Sequence, residues 1–425
     1  MWRWRSLCPY NVGHVVKIEG AADLPRWREA VAHTIRETGL GIPHVRGDAA
    51  EFTPPDEIAV GIFSGGIDEK IAAEMNRAFA PDELPVRFFV GENADGTYWF
   101  VAFFDHWIAD SKSFRALMHH ILRRYQLPAA PPLPPLKLDA KTLRGHFGFG
   151  ASYFFRALDT CIRDMRNLRS VYRMPLGDPL DFQYGFHRVT VRDGLIDAVR
   201  ASAKKIGCTV NDIFIAAAAQ AVGKPTAEAR DSVCKRKFRA VRDRVSIGTA
   251  VDIRPLACSD DGDSLGLLVS YFAVAIARPE KTALRDVCAQ VATETCAAKS
   301  RDRLLHALLN FTLARIFWDR VAKPRTRALL CHRVLPVTLA ISNENFTGSW
   351  IDAHLDAAGE VPRILDYFRV PPVGPLSPVV VMPTTARGRL TLTVGWRTTA
   401  FGRGQIECIT ADFLRALENA ARVSF

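Results

Sequence analysis

Hydrophobic positions along the chain switch repeatedly between the two-residue period of strands and the longer period of helices. Residues 14–19 predict a strand, and residues 24–37 predict an amphipathic helix. Residues 86–91 and 97–105 predict a hairpin, because an Asn-Ala-Asp-Gly turn separates these two apolar runs. Between residues 111 and 125, apolar side chains recur every three or four positions, as they do on a helix that packs against a core.

The segment that follows, residues 127–138, is rich in proline and predicts a stiff connector, because proline cannot continue a helix. Beyond it, strands and helices alternate again. Strands are predicted at residues 187–191, 245–253, 267–277 and 336–343, and a hairpin at residues 379–397. Helices are predicted at residues 194–206, 209–222, 282–298 and 410–421, with Thr209 or Asn211 as the N-cap of the second.

The length of the chain, 425 residues, exceeds the range that one hydrophobic core serves, which ends at about 250–300 residues. Since each half mixes strands and helices, we predict an α/β protein of two lobes with a cleft between them. The N-terminal lobe would span residues 1–178 and end in the proline-rich and basic connector. The C-terminal lobe would span residues 179–425.

Composition narrows the class of protein. Hydrophobic residues make up 48% of the chain and charged residues 24%, as in an ordinary globular protein. The nine cysteines include no CxxC pair, so we expect reduced thiols, no metal site and a cytoplasmic location. No apolar run reaches the about 20 residues of a membrane span, and the N-terminus lacks the pattern of a signal peptide.

The formal net charge of +11 favours acidic partners. Much of it lies in three basic stretches, at residues 144–173, 224–244 and 301–333. These stretches form a solvated face, or they bind a nucleotide phosphate, an acidic carrier protein or the inner face of an anionic membrane. Because no nucleic-acid motif accompanies them, we expect no nucleic-acid partner.

One segment carries candidate chemistry: His106 and Asp110 form an HxxxD pattern. The same spacing between His44 and Asp48 falls where the sequence predicts a polar loop, whereas His106 ends an apolar strand and precedes the amphipathic helix. A strand end presents the imidazole at the rim of a sheet, and a pKa of about 6.5 suits proton removal from an acceptor. The tight turn would direct Asp110 elsewhere, near the positive N-terminus of the helix.

At this motif the chain resembles the acyl-CoA-dependent acyltransferase superfamily. That superfamily includes chloramphenicol acetyltransferase, the plant BAHD acyltransferases, wax ester synthases and the condensation domains of peptide synthetases. Further segments agree with it in the expected order: Thr209-Val210-Asn211-Asp212-Ile213, Val251-Asp252-Ile253-Arg254-Pro255 and Ile341-Ser342-Asn343. The resemblance implies two pseudo-symmetric lobes, each of mixed sheets with packed helices, around a central tunnel.

The resemblance also implies an enzyme and the roles of its residues. An acyl group would pass from acyl-CoA or an acyl-carrier protein to a small-molecule hydroxyl or amine, with His106 as general base and no covalent acyl-enzyme. Asp110 would fix the turn and pair with Arg254, while Ser342 or Asn343 would donate a hydrogen bond to the developing oxyanion. The protein would be a monomer without a cofactor of its own, acting in lipid or secondary metabolism.

Of four departures from the family pattern, the serine at position 111 and a missing asparagine leave a first alternative open. Ser111 stands where the motif commonly has glycine, and Asp105 stands where a double-histidine variant has its first histidine. The segment Gly266-Leu267 lacks the asparagine of the family's Gly-Asn pair, and the plant-type DFGWG motif is missing. The alternative is a non-catalytic member of the fold that binds acyl thioesters.

A second alternative is a serine hydrolase that uses Ser264, because residues 262–266 fit the GxSxG pattern. That chemistry needs a buried strand before the serine and a helix after it. The segment before Ser264 is polar and a strand-like segment follows it, so we expect a surface turn. The other glycine-rich segment, residues 145–150, does not follow a buried strand and predicts a hinge.

Overall fold

The fold is described from a computed structural model of the chain. The described residues are 1–46, 49–129, 131, 133–139, 150–191, 193–234, 242–257, 264–320, 323–334, 336–345 and 362–422. The predicted hinge lies outside them except for Gly150, and so do Asp48 and the first two residues of the GxSxG pattern.

Strands and helices alternate along the chain, as the hydrophobic pattern predicts. The strands are β1 (Asn11–Glu19), β2 (Ile42–Arg46), β3 (Ala49–Thr53), β4 (Val60–Ile62), β5 (Val86–Glu92), β6 (Thr97–Asp105), β7 (Tyr184–Thr190), β8 (Arg244–Asp252), β9 (Val269–Ala277), β10 (Leu339–Ile341), β11 (Glu344–Asn345), β12 (Ile364–Val370), β13 (Val379–Ala386) and β14 (Arg389–Arg397). The helices are α1 (Leu24–Thr38), α2 (Ile67–Asn76), α3 (Ser111–Gln126), α4 (Ala151–Leu168), α5 (Leu195–Ile206), α6 (Val210–Cys234), α7 (Arg254–Ala257), α8 (Leu284–Ala298), α9 (Arg301–Arg320), α10 (Pro324–Val334) and α11 (Arg403–Arg422). Short 3-10 helices cover Trp2–Ser6 and Pro279–Lys281.

Two mixed sheets organise the molecule. The first has the strand order β12-β1-β6-β5-β4, and the second has the order β7-β14-β13-β10-β8-β9, with β11 added beside β13. Strand β12 thus joins the first sheet from beyond residue 178, where the sequence analysis divides the chain. The exact division into lobes remains a prediction.

Both faces of the first sheet are buried, which explains why β6 is an almost unbroken apolar run. Phe100 and Phe104 of β6 pack under α1 and α3 on one face. On the other face, Val15 lies beside Val101 and Phe368 in register, in a cluster that also takes residues from the second sheet. The two sheets therefore meet across this apolar layer.

The second sheet carries its own core, under α5, α6, α8 and α11. Thr209 caps α6: its backbone N–H donates to Asp212 Oδ2 at 2.8 Å, and Asp212 N donates to Thr209 Oγ1 at 3.2 Å. The helix runs past its predicted end at residue 222 and contains Pro225. Pro225 has no backbone N–H and therefore removes one helical hydrogen bond. Close to this position, Arg230 donates to the Gly223 carbonyl at 2.8 Å.

Several predicted elements differ from the structure. His44 lies in strand β2, so the expectation of a polar loop there is wrong, although its side chain is exposed. The strand predicted over residues 336–343 is reduced to the three residues of β10, and the last helix begins at Arg403 rather than at residue 410. Helices α4, α9 and α10 form from the basic stretches, where the sequence analysis predicted no helices.

Membrane spans and metal sites are features of other classes of protein. No single helix among the described residues combines the length and apolarity of a membrane span, and only the bent pair of residues 195–206 and 210–232 passes by length and composition. No group of three or more potential metal ligands occurs in the described part of the chain.

Candidate active site

His106 follows directly after β6, in the turn that leads to α3. Its backbone N–H donates to the Tyr10 carbonyl at 3.0 Å, and its ring stacks on the Tyr10 ring with 5.3 Å between centroids. Nδ1 lies 2.9 Å from the carbonyl oxygen of Ala109. A carbonyl oxygen only accepts, so this contact assigns the proton to Nδ1 and leaves the lone pair on Nε2.

The surroundings of His106 keep the ring neutral. Burial lowers the pKa of His106 from its usual 6.5, and the Ala109 carbonyl and Asp110 oppose this shift only in part. The imidazole is thus held in one tautomer and in the uncharged form at neutral pH. These are the two conditions that a general base requires.

Asp110 points away from this ring and into the protein. Its side chain caps α3 by accepting a hydrogen bond from Ser113 N at 2.9 Å, and its Oδ2 accepts another from Leu268 N at 2.8 Å. Arg254 Nη2 donates to both carboxylate oxygens, at 3.0 and 2.8 Å. The side chains of Asp110 and Arg254 are only 3% and 5% exposed, so the pair is shielded from water.

Arg254 connects the two halves of the chain. It follows β8 of the second sheet, while its partner Asp110 begins α3 beside the first sheet. Asp252 Oδ1 also accepts from Arg254, at 3.0 Å. Burial lowers the pKa of Arg254, but Asp110 and Asp252 together raise it above its usual value, so the guanidinium is charged. The predicted juxtaposition of Asp110 and Arg254 is thus present in the geometry.

A cavity of about 290 Å³ lies between the halves, and we call it the central cavity. Residues from both halves line it, and the structure brings all five predicted site residues to this space: His106, Asp110, Arg254, Ser342 and Asn343. The backbone N–H of Ser342 donates to Val381 O at 3.0 Å. This backbone N–H is therefore engaged, and the Ser342 hydroxyl and the Asn343 amide are the candidate donors to an oxyanion.

Ser111 belongs to a buried polar network that the sequence analysis missed. Its hydroxyl lies 3.1 Å from Nε2 of His14 and accepts from Arg369 Nη1 at 3.2 Å. Nδ1 of His14 lies 2.7 Å from the Tyr367 hydroxyl, and Arg369 also lies 3.7 Å from Glu344. Ser111 is therefore hydrogen-bonded to buried groups beside the central cavity, which it also lines. Polar residues at buried positions of β1 and β12 were the signal in the sequence.

We expect the Ser111→Ala variant to lower the free energy of unfolding by about 1–3 kcal/mol, because two buried groups each lose a partner. His14 and Arg369 are both fully buried, so each loses a hydrogen bond inside the protein. Urea denaturation measures the change. Ser232→Ala is the control, since Ser232 is exposed and its hydroxyl donates to the Ala229 carbonyl in its own helix. Equal stability of the two variants would contradict this account of the network.

Asp105, which stands where the double-histidine variant of the motif has its first histidine, contacts the N-terminal segment. Its carboxylate lies 3.2 Å from Arg5, whose guanidinium also donates to the Phe79 carbonyl at 2.6 Å. Burial raises the pKa of Asp105 to about 6, and the positive charge of Arg5 offsets only part of this increase. The contact fixes the 3-10 helix Trp2–Ser6, and Trp4 of that helix lines the central cavity.

Ser264 does not have the surroundings of a nucleophile. Strand β9, not a helix, follows it, and the neighbouring Leu265 forms a bridge with Leu138. Its carbonyl accepts a hydrogen bond from Ser113 Oγ at 2.8 Å, so this segment is bonded to the first turn of α3. Neither the geometry of a nucleophile elbow nor a place in the central cavity is observed for Ser264.

No protein-family model matches the sequence, and no curated protein matches it either. Solved structures do. The first condensation domain of the calcium-dependent antibiotic synthetase aligns with a TM-score of 0.69 and 13% identity, over 97% of this chain and 92% of that chain. SgcC5 from Streptomyces globisporus aligns with a TM-score of 0.62 and 16% identity, over 97% and 93%. The EpoB cyclization-docking bidomain from Sorangium cellulosum aligns with a TM-score of 0.68 and 12% identity, over 100% and 83%.

These similarities define the fold. The chain has the two-lobed, chloramphenicol acetyltransferase-like fold of the solved condensation domains, and the predicted fold class is confirmed. At identities of 11–16% they define no more than the fold. The chemistry must be argued from the site itself.

Proposed function

We propose that the protein is an acyltransferase that moves an acyl group from a thioester to a hydroxyl or amine acceptor. The observation that carries this proposal is the state of His106. Its Nδ1 is bound to the Ala109 carbonyl, its Nε2 keeps a lone pair, and the residue lines a cavity between the two halves of the molecule. A neutral imidazole beside an internal cavity is what a general base for acyl transfer needs.

In the proposed reaction, the acceptor's oxygen or nitrogen attacks the thioester carbonyl carbon while its proton passes to Nε2 of His106. The carbonyl oxygen gains the negative charge, and the Ser342 hydroxyl or the Asn343 amide donates a hydrogen bond to it. The carbon–sulfur bond then breaks, and the imidazolium returns its proton to the leaving thiolate. The acyl group never becomes attached to the protein, so His106 serves both as base and as acid.

Asp110 and Arg254 act in this scheme as positioning residues. Their ion pair joins the start of α3 to the end of β8 and thereby holds the turn that contains His106. A buried pair of this kind serves geometry more than stability. The donor is proposed to be acyl-CoA or an acyl-carrier protein. The similarity to condensation and cyclization domains of synthetases supports a donor of this class. A monomeric state, a cytoplasmic location and contact with a membrane surface stay predictions.

The test is thiol release from acyl-CoAs and acyl-carrier proteins, measured with and without a panel of alcohols and amines. We expect release that depends on an acceptor and is unchanged in the Ser264→Ala variant. Release without an acceptor that disappears in Ser264→Ala would identify a hydrolase instead. Tight binding of acyl thioesters without turnover by any acceptor would identify the non-catalytic alternative.

A further inference from the structure

A second and larger cavity adjoins the proposed site. It has a volume of about 910 Å³ and lies between α4, α9 and β9, and we call it the lateral cavity. Ligand pockets in proteins range from about 300 to 1,000 Å³, so the lateral cavity is near the upper end of that range. It is about three times as large as the central cavity, whose volume is about 290 Å³.

The walls of the lateral cavity are largely aliphatic and aromatic. Typical lining side chains are Leu158, Met165, Ala275, Leu304, Ala307 and Trp318. Two of the charged groups that line it are paired: Arg303 lies 3.4 Å from Asp164, and Arg3 lies 2.6 Å from Asp319. Arg244, Glu294 and Arg315 also contribute to the lining, so charge is present at a minority of positions. A ligand that fits such walls must itself be largely apolar, because a polar ligand would lose its hydration without new partners.

The lateral and central cavities adjoin along one side. Met1, Trp4, Tyr271, Phe311 and Leu376 line both of them. An apolar tail on a molecule whose reacting group lies beside His106 would enter the lateral cavity past these residues. Neither the HxxxD motif nor the resemblance predicted such a space.

We infer that the lateral cavity binds a long aliphatic chain, and we assign that chain to the acyl group of the donor. The inference rests on the proposed function, since it names the substrate class of the same site. An acyl group is the one part of the reaction that every donor brings, and its carbonyl carbon ends the chain. Placing that carbon at His106 leaves the remaining chain to follow the shared wall into the lateral cavity.

The expected signature is a dependence on chain length. Each methylene group that leaves water for an apolar cavity strengthens binding about fourfold. We therefore expect kcat/KM for acyl-pantetheine thioesters to rise about fourfold per added methylene over a series from acetyl to palmitoyl, until the cavity is filled. The pantetheine arm is common to CoA and to carrier proteins, so the series does not presuppose either donor.

A cavity-filling variant tests the location. In Ala307→Phe, the ring would occupy space that Ala307 leaves open on α9. We expect transfer of palmitoyl to fall at least about tenfold, while transfer of acetyl changes less than about twofold. Ala289→Phe is the matched control, because Ala289 is exposed on α8 and does not line the cavity. The control should leave the whole series unchanged.

A second measurement separates this inference from the proposed function. S-hexadecyl-pantetheine, a thioether that cannot transfer its chain, should bind the wild type with a negative heat-capacity change and bind Ala307→Phe at least about tenfold more weakly. Turnover that requires an acceptor but is equally efficient for acetyl and palmitoyl would overturn the inference and leave the proposed function standing. If kcat/KM depended on the chain length of alcohol acceptors but not on that of the acyl donors, the assignment to the acyl group would be overturned.

Discussion

Replacing His106 with alanine should lower kcat/KM for acyl transfer by about 10²–10⁴-fold at neutral pH, the usual contribution of a general base. The wild-type ring is held by the Ala109 carbonyl and stacked on Tyr10, so both the proton acceptor and its orientation are lost together. The backbone hydrogen bond from His106 to Tyr10 remains in the variant. Circular dichroism and urea denaturation would show whether the fold is retained.

The His106→Asn variant separates chemistry from structure. An asparagine amide can donate to the Ala109 carbonyl as Nδ1 does, but it cannot take up a proton at neutral pH. Activity should therefore be lost as in His106→Ala, while stability stays closer to that of the wild type. His44→Ala is the control, because His44 is exposed and begins the other HxxxD spacing. An active His106→Asn variant would exclude His106 as the base.

The same residue predicts the pH profile of the wild type. A general base must be unprotonated, so activity should fall as the pH decreases through the pKa of His106. Burial lowers that pKa below its usual 6.5, which places the acidic limb of kcat/KM below pH 6.5. The profile is measured with a fixed donor and a saturating acceptor. A limb well above 6.5 would indicate another group.

Some regular elements of the first lobe were predictable because their signals are local, whereas β2, β3, β4 and α2 were not predicted. Strand β6 and helix α3 match the predicted ranges within one residue, since apolar periodicity, the Gly96 turn and the Asp110 cap all agree. No local signal in the sequence of β12 indicated its position in the first sheet. This strand pairs with β1 across more than three hundred positions, and no periodicity states which sheet a strand will join.

The site was predictable where it follows a motif and not where it depends on packing. His106, Asp110 and Arg254 belong to short patterns, and the structure places them at one junction. The network of His14, Ser111 and Arg369 joins residues far apart in the chain, so spacing could not reveal it. The lateral cavity is likewise a product of three separate elements.

Removing the carboxylate of Asp110 should be the most destabilising single change at the site. Asp110→Ala leaves the buried guanidinium of Arg254 with Asp252, which is only partly buried, and it deprives Ser113 N and Leu268 N of their acceptor. Breaking a buried ion pair from one side costs about 3–5 kcal/mol, a large share of the about 5–15 kcal/mol of a whole domain. Urea denaturation at neutral pH measures the loss.

Arg254→Met should lower the free energy of unfolding less than Asp110→Ala does. The charge that each variant leaves behind keeps different partners. Without Arg254, the Asp110 carboxylate still accepts from two backbone N–H groups and faces the positive end of α3. The double variant Asp110→Asn/Arg254→Met should recover part of the loss, since it leaves neither charge buried alone. Arg163→Ala, which removes an exposed partner of Asp159, should change stability by less than about 1 kcal/mol. If Asp110→Ala were no more costly than Arg163→Ala, the Asp110–Arg254 pair would not be what holds the His106 turn between the two halves of the fold.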